Sequence, residues 1–183
     1  MTLPVPTRDE VSAANQSIFD QLQSKLGFVP NLYATFAHSE MALSTYLTAT
    51  GAKTSLSAKE AEVVNLAVSE VNACTYCLAA HTAIAGMNGL TPDQIEEIRA
   101  GRARWDAKLD ALAVLAHDMA ETRGHATPKV VEAFLAAGWT EANLVDVVLT
   151  VGLKTVSNYL HSTTKVPVDF PAATPLETMV AAE

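Results

Sequence analysis

Helix punctuation recurs along this chain, and strand punctuation does not. Thr7-Arg8-Asp9-Glu10 and Ser57-Ala58-Lys59-Glu60 both read as capping boxes. In that pattern a hydroxyl accepts from the backbone N–H three residues on, and the acid reaches back to the cap. Thr91-Pro92-Asp93-Gln94 starts another helix with a Thr cap, a Pro in the first position and an acid in the first turn. Thr127-Pro128 and Thr140-Glu141-Ala142-Asn143 open two more. Gly27, Gly89, Gly101, Gly124 and Gly138 follow periodic stretches, where a left-handed residue ends a helix.

The first box predicts a helix running to Leu26, and Pro30 begins a new segment. Ser39-Glu40 starts a helix through Tyr46 to about Ala52. A long apolar helix follows Ser57 and carries Val63, Val64, Leu66, Ala67 and Val71; Asn72-Ala73 interrupts it, and the next helix runs from Cys74 to about Met87. Between Asp106 and Arg123, Leu109, Leu112, Ala113, Ala116 and Ala120 fall on one helical face. The last long helix runs from Thr140 to about Ser162. The expectation is an all-α bundle of about seven to nine helices, a single domain over residues 1–166. Pro167, Pro171 and Pro175 make residues 167–183 an extended tail, either wrapped on a neighbouring subunit or disordered. Trp105 and Trp139, beside helix breaks, are expected to be packing anchors.

A chain of 183 residues suits one domain and needs no metal or disulfide staple to fold. Charged residues are only 17% of the chain. Soluble domains average about 25%, so part of the surface is expected to be covered by partner subunits. The net charge is −8 and no basic run occurs, which excludes a phosphate-backbone footprint and hence nucleic acid. No Gly-rich phosphate loop occurs either. Residues 1–6 lack the features of a secretory signal, and no segment reaches the roughly 20 apolar residues of a membrane span. The expected location is the cytoplasm. Structural disulfides are rare there, so a close cysteine pair is more often catalytic, redox-sensing or metal-binding.

Such a pair is present in Cys74-Thr75-Tyr76-Cys77, followed by His81. Spacings of three and four put Cys74, Cys77 and His81 on one stripe of a helix. Two cysteines in a first helical turn are within reach of a disulfide. A helix N-terminus favours thiolate, and His81 can take a proton from Cys77 or stabilise its thiolate as imidazolium. Glu62 is the carboxylate placed to orient His81 or to accept the proton. Two other readings stay open at this point: a pair of buried structural cysteines, and a zinc site of Cys74, Cys77 and His81 with Glu62 or water. Tyr76 is a packing residue first and a hydrogen-bond donor to a bound peroxide second. Asn158, Tyr159 and His161, near the end of the last helix, could line a pocket or an interface. His117 reads as a core or interface histidine.

Glu62, the Cys74-Thr75-Tyr76-Cys77 motif and His81 resemble the alkylhydroperoxidase D (AhpD)-like group of the carboxymuconolactone decarboxylase superfamily. Leu56 to Glu62 is similar to that group's approach to its active site, as is Val68 to Cys74. Leu26 to Leu32 and Asn158 to Asp169 resemble its peroxidase-related branch. The likeness covers roughly residues 20–172. It implies an AhpD-like helical bundle, assembly into trimers or hexamers, and thiol-dependent reduction of organic hydroperoxides or hydrogen peroxide. No cofactor or metal is implied in the subunit. By the same resemblance Cys77 attacks the peroxide, Cys74 resolves the sulfenic acid to a disulfide, and Glu62 and His81 relay protons. Tyr76 stands where described members of the group carry a second histidine. An external thiol reductant, a lipoyl-bearing or thioredoxin-like protein, would restore the dithiol. Within the same superfamily a lactone decarboxylase is the alternative activity, and a non-enzymatic redox sensor would use the same cysteines.

Overall fold

The structure is a computed structural model and describes residues 2–176. Among these residues all regular structure is helical, as the punctuation implied. A 3-10 turn at Arg8–Glu10 is followed by α1 (Ala13–Leu26), α2 (Asn31–Phe36), α3 (Ala42–Thr50), α4 (Ala58–Val71) and α5 (Thr75–Met87). Then come α6 (Pro92–Arg99), α7 (Ala107–Glu121), α8 (Pro128–Ala136) and α9 (Glu141–Thr164).

The hub is α4. Its residues Val63, Val64, Leu66, Ala67 and Val68 are fully buried, so the helix is apolar nearly all round. A helix of that kind needs cover on every side, and α5, α6, α7 and α9 supply it. The Ser57 capping box forms: Ser57 Oγ accepts from Glu60 N–H at 3.3 Å, and Glu60 Oε2 accepts from Ser57 N–H at 2.7 Å. A first apolar cluster joins α4 to Leu112, Leu115, Ile98 and Phe134. A second lies across α1, α2, α3 and the start of α5, and it contains both cysteines.

Three local expectations are corrected. The Thr7 box caps only the 3-10 turn: Val11 then turns extended (φ −108°, ψ 165°) and is buried. Ser12 supplies a fresh cap for α1 by accepting from Asn15 N–H at 3.3 Å. Ser39 does not open its helix directly; α3 begins at Ala42, whose N–H reaches Ser39 Oγ at 3.3 Å. Trp139 is the expected anchor, stacked on Phe134 with ring centroids 5.3 Å apart, whereas Trp105 is 38% exposed.

The expected tail is without helix from residue 165 to residue 176, and it docks on its own subunit. Asp169 Oδ2 accepts from Asn31 N–H at 2.7 Å, and Thr174 O accepts from Arg99 Nη1 at 2.7 Å. Phe170 sets its edge against Phe28 and Tyr76. The rest of the tail expectation, residues 177–183, lies outside the described residues. Among the described residues no helix is long and apolar enough to cross a membrane.

Candidate functional site

Four residues singled out from sequence come together where α4, α5 and α9 meet. The chain leaves α4 through Asn72 and Ala73, and Ala73 takes φ +50°. That left-handed residue turns the backbone so that α5 starts at once, with Cys74 as its N-cap. Cys74 Sγ accepts from Cys77 N–H at 3.3 Å, the place a Ser or Asp oxygen would usually occupy. Both cysteines are free thiols and buried, Cys77 at 2% exposure.

One turn on, His81 faces α4. Its Nδ1 lies 2.7 Å from Glu62 Oε2, and Glu62 Oε1 accepts from Asn65 Nδ2 at 3.0 Å. Its Nε2 meets the Nζ of Lys154, which projects from α9. One tautomer satisfies both sides: Nδ1–H donates to the carboxylate, and Nε2 accepts from the ammonium. Burial pushes the His81 pKa down; the Lys154 charge adds to this, and Glu62 works against it. The ring is therefore neutral near pH 7. Both of its nitrogens are engaged, so it does not present an imidazolium to the sulfur. Burial alone would raise the Glu62 pKa, but the net shift is downward. His81, Asn65 and Lys154 outweigh the burial.

The two thiols differ sharply. Cys77 is drawn down to about 7, chiefly by a hydrogen bond from the Cys74 thiol; burial opposes this, and Lys154, Asn158 and Ser157 assist. Cys74 is pushed far up, first by its bond to Cys77 and then by burial. The pair shares one proton, and the Lys154 charge adds to the preference for a thiolate at Cys77. Lys154 lies on the Cys77 side, while Cys74 faces His161, whose Nδ1 is 3.7 Å from its sulfur. Burial lowers the His161 pKa, so that ring too is neutral and offers no compensating charge.

Cys77 opens onto a cavity of about 470 Å³, a size suited to small organic ligands. Its wall is largely apolar, with Phe28, Leu32, Ile84, Met87 and Phe170 among the lining residues. His81 and Lys154 sit at its polar end. They also face a second cavity of about 570 Å³ that Cys77 does not line. The pair therefore forms part of the partition between the two.

Tyr76 is 3% exposed and its hydroxyl accepts from Leu32 N–H at 3.2 Å, which ties α5 to α2. Asn158 is buried, donating to Ser69 Oγ at 3.2 Å and accepting from Asn72 Nδ2 at 2.9 Å. It holds the α4–α5 corner against α9. Tyr159 points away and is 58% exposed. His117 lies outside the site, its ring closing over Gly101; a Cβ there would come 2.7 Å from the ring. Among the described residues, no three His, Cys, Asp or Glu side chains converge as a metal-holding group.

Sequence reading missed Lys154. A signal was present. Val147, Val151, Lys154, Asn158 and His161 recur at spacings of four, three, four and three, and all five are buried. A lysine on the inward stripe of a helix is rarely buried without a partner.

The helical fold agrees with comparisons to known proteins. The model of the carboxymuconolactone decarboxylase family, CMD, matches residues 37–117, the stretch that holds all four residues. Over that stretch, somewhat under half of its length, the chain is similar to the carboxymuconolactone decarboxylase family. Comparison with curated protein sequences gives no significant match. Among solved structures, the chain is similar to an uncharacterized peroxidase-related protein from Ralstonia eutropha JMP134 described as an alkylhydroperoxidase AhpD core. The identity is 22% and the TM-score 0.82, covering 91% of each chain. A peroxidase-related protein from Silicibacter sp. TM1040 is similar at 23% identity and TM-score 0.78, covering 91% of this chain and 90% of that one. The debrominase Bmp8, in a cysteine-to-alanine form in complex with 2,3,4-tribromopyrrole, shares the fold at 12% identity and TM-score 0.75, over 92% and 93% of the two chains. Proteins named for different chemistries thus share this bundle, so function has to be argued from the site.

Proposed function

We propose that the protein is a thiol-dependent peroxidase of the cytoplasm that reduces organic hydroperoxides through Cys77 and Cys74. The observation that carries this reading is one thiol drawn down to about 7, lying on the wall of a largely apolar cavity, with a second thiol three residues away. A thiolate at neutral pH is the nucleophile, and the apolar wall favours an alkyl or aryl hydroperoxide over hydrogen peroxide. Cys77 attacks the terminal peroxide oxygen and becomes a sulfenic acid. Cys74 displaces water from it and forms the disulfide. Glu62 and His81 serve the proton traffic indirectly, by holding the Lys154 ammonium beside the cavity. An external dithiol protein, lipoyl-bearing or thioredoxin-like, returns the pair to thiols. The low share of charged residues, 17%, supports assembly into a homo-oligomer, which the resemblance makes a trimer or hexamer.

Rapid mixing of the reduced protein with cumene hydroperoxide tests the reading. One thiol pair should disappear per peroxide, with cumyl alcohol as product. Cys77→Ser should abolish the reaction, and Cys74→Ser should stop it at a trapped sulfenic acid. Peroxide loss that persists in Cys77→Ser would refute the assignment. Absence of any reaction in the parent protein would refute the activity.

A further inference from the structure

The peroxide step leaves a chemical demand that neither sulfur meets. When a thiolate splits an alkyl hydroperoxide, the departing group is an alkoxide, a strong base that leaves slowly unless it is protonated. His81 cannot supply that proton from its present position. It is neutral, its Nδ1–H is committed to Glu62, and its Nε2 is occupied by Lys154. Cys74 S–H is committed to Cys77.

Lys154 is the buried cation on the cavity that Cys77 lines; the Tyr33 and Tyr46 hydroxyls also line it, but burial raises their pKa values and makes them poorer proton donors. Lys154 is 7% exposed, yet it stands at the polar end of that cavity. Its contact with His81 uses only one of the three ammonium N–H bonds. Glu62 fixes the tautomer of His81, and His81 fixes Nζ, so the ammonium is held in place before any substrate enters. Burying a lysine this deeply is strongly unfavourable unless it is partnered. Among the described residues, the full negative charges that act on this site are Glu62, through the imidazole, and the Cys77 thiolate.

We propose that Lys154 is a catalytic residue of the peroxide step: it pairs with the Cys77 thiolate, then gives its proton to the departing alkoxide. This rests on the peroxidase reading above. In the step, a Cys77 lone pair forms the S–O bond to the terminal oxygen and the O–O bond breaks. The sulfur loses two electrons to the peroxide, and R–O⁻ takes the proton from Lys154 to become R–OH. Cys77 is then S–OH and Lys154 a neutral amine. Cys74 attacks the S–OH sulfur, and its own proton leaves with the hydroxide as water. When the external dithiol reduces the disulfide, Cys77 regains a proton and passes it to Lys154, which restores the ion pair. His81 and Glu62 are positioning residues in this cycle.

Three electrophiles separate the two duties of the lysine. Iodoacetamide needs the thiolate and no proton. Perbenzoic acid expels benzoate, which leaves without help. Cumene hydroperoxide expels an alkoxide and needs the acid. Lys154→Arg keeps the cation but cannot release a proton at neutral pH. It should hold the first two rates within about threefold, while the cumene hydroperoxide rate falls about 100-fold or more. Lys154→Met should lower all three rates, the alkyl hydroperoxide most. Circular dichroism of each variant checks folding, and Lys154→Arg carries the test if Lys154→Met does not fold. A cumene hydroperoxide rate that survives in Lys154→Arg would overturn the role of Lys154 and leave the peroxidase intact. The same would follow from equal losses toward all three reagents. A parent protein that reacts with iodoacetamide but with neither peroxide would instead refute the peroxidase reading, and this proposal with it.

Discussion

The two apolar clusters of this bundle are built to different ends. The first, around Leu66, Leu112, Leu115 and Phe134, is filled mostly by buried aliphatic side chains, and the indole N–H of Trp139 is satisfied by Lys108 O at 2.9 Å. The second contains Tyr46, Tyr76, Cys74 and Cys77, and borders a cavity of about 470 Å³. Beside this cluster the Asn15 amide donates to the backbone carbonyls of Ala37 and Ser39. One cluster stores stability. The other gives up close packing to keep room beside a sulfur. The helix α9 serves both, with Val147 in the first and Lys154, Asn158 and His161 toward the second.

The difference can be broken first in the tight half. Leu66→Ala should cost about 2–5 kcal/mol, because the fully buried site cannot collapse onto the space left. Denaturant midpoints would measure the loss, and the alkylation rate of Cys77 should not change. A loss below about 1 kcal/mol would mean this cluster is looser than described.

Glu62→Gln probes the boundary between the halves. The variant removes a charge-assisted bond to His81, so about 1.5–3 kcal/mol should be lost at pH 7. The sign of the pH dependence follows from the downward shift of Glu62 below its usual 4.5. Its contribution is fully present above that value and is lost as pH falls through the lowered one. Melting temperatures of the parent and Glu62→Gln should therefore be well separated at pH 7 and converge in acid. A gap that widens toward acid would contradict the geometry.

Tyr76→Phe gives the smallest effect. It leaves the Leu32 N–H without its partner at 3.2 Å while keeping the ring. The expected cost lies near the low end of about 1–3 kcal/mol, read by thermal melts. Full stability in this variant would show that the α2–α5 tie contributes nothing.

Local signals carried the fold well. Ser57, Thr91, Asp106 and Thr140 cap the helices expected of them, because a cap depends on residues only three or four apart. The failure at Thr7 has a tertiary cause: burial of Val11 rewards an extended residue that no local rule favours. In the site, Cys74, Cys77, His81 and Glu62 were legible as a motif. The opposition of Glu62 to His81 was legible as well, since α4 and α5 run consecutively. Lys154 was not, because its partner lies 73 positions away and the periodicity of α9 marks only which face turns inward. The unequal thiols were half legible. Helix-end physics favours Cys74, whereas the hydrogen bond from the Cys74 thiol, assisted by the cation from α9, places the charge on Cys77.

That charge placement is the claim on which the chemistry depends, and site-resolved alkylation reads it. Initial rates of iodoacetamide modification at each cysteine, followed by mass spectrometry across pH 5–10 as a rough span around the ordinary thiol value, would give two titration curves. The titratable groups acting on Cys77 are Cys74 and Lys154, with His81, Tyr33, Tyr46, Tyr76 and Lys25 also on the cavity wall. Cys77 should react first, with a midpoint at about 7, while Cys74 stays unreactive throughout. A Cys77 midpoint near 9, or earlier modification of Cys74, would contradict it.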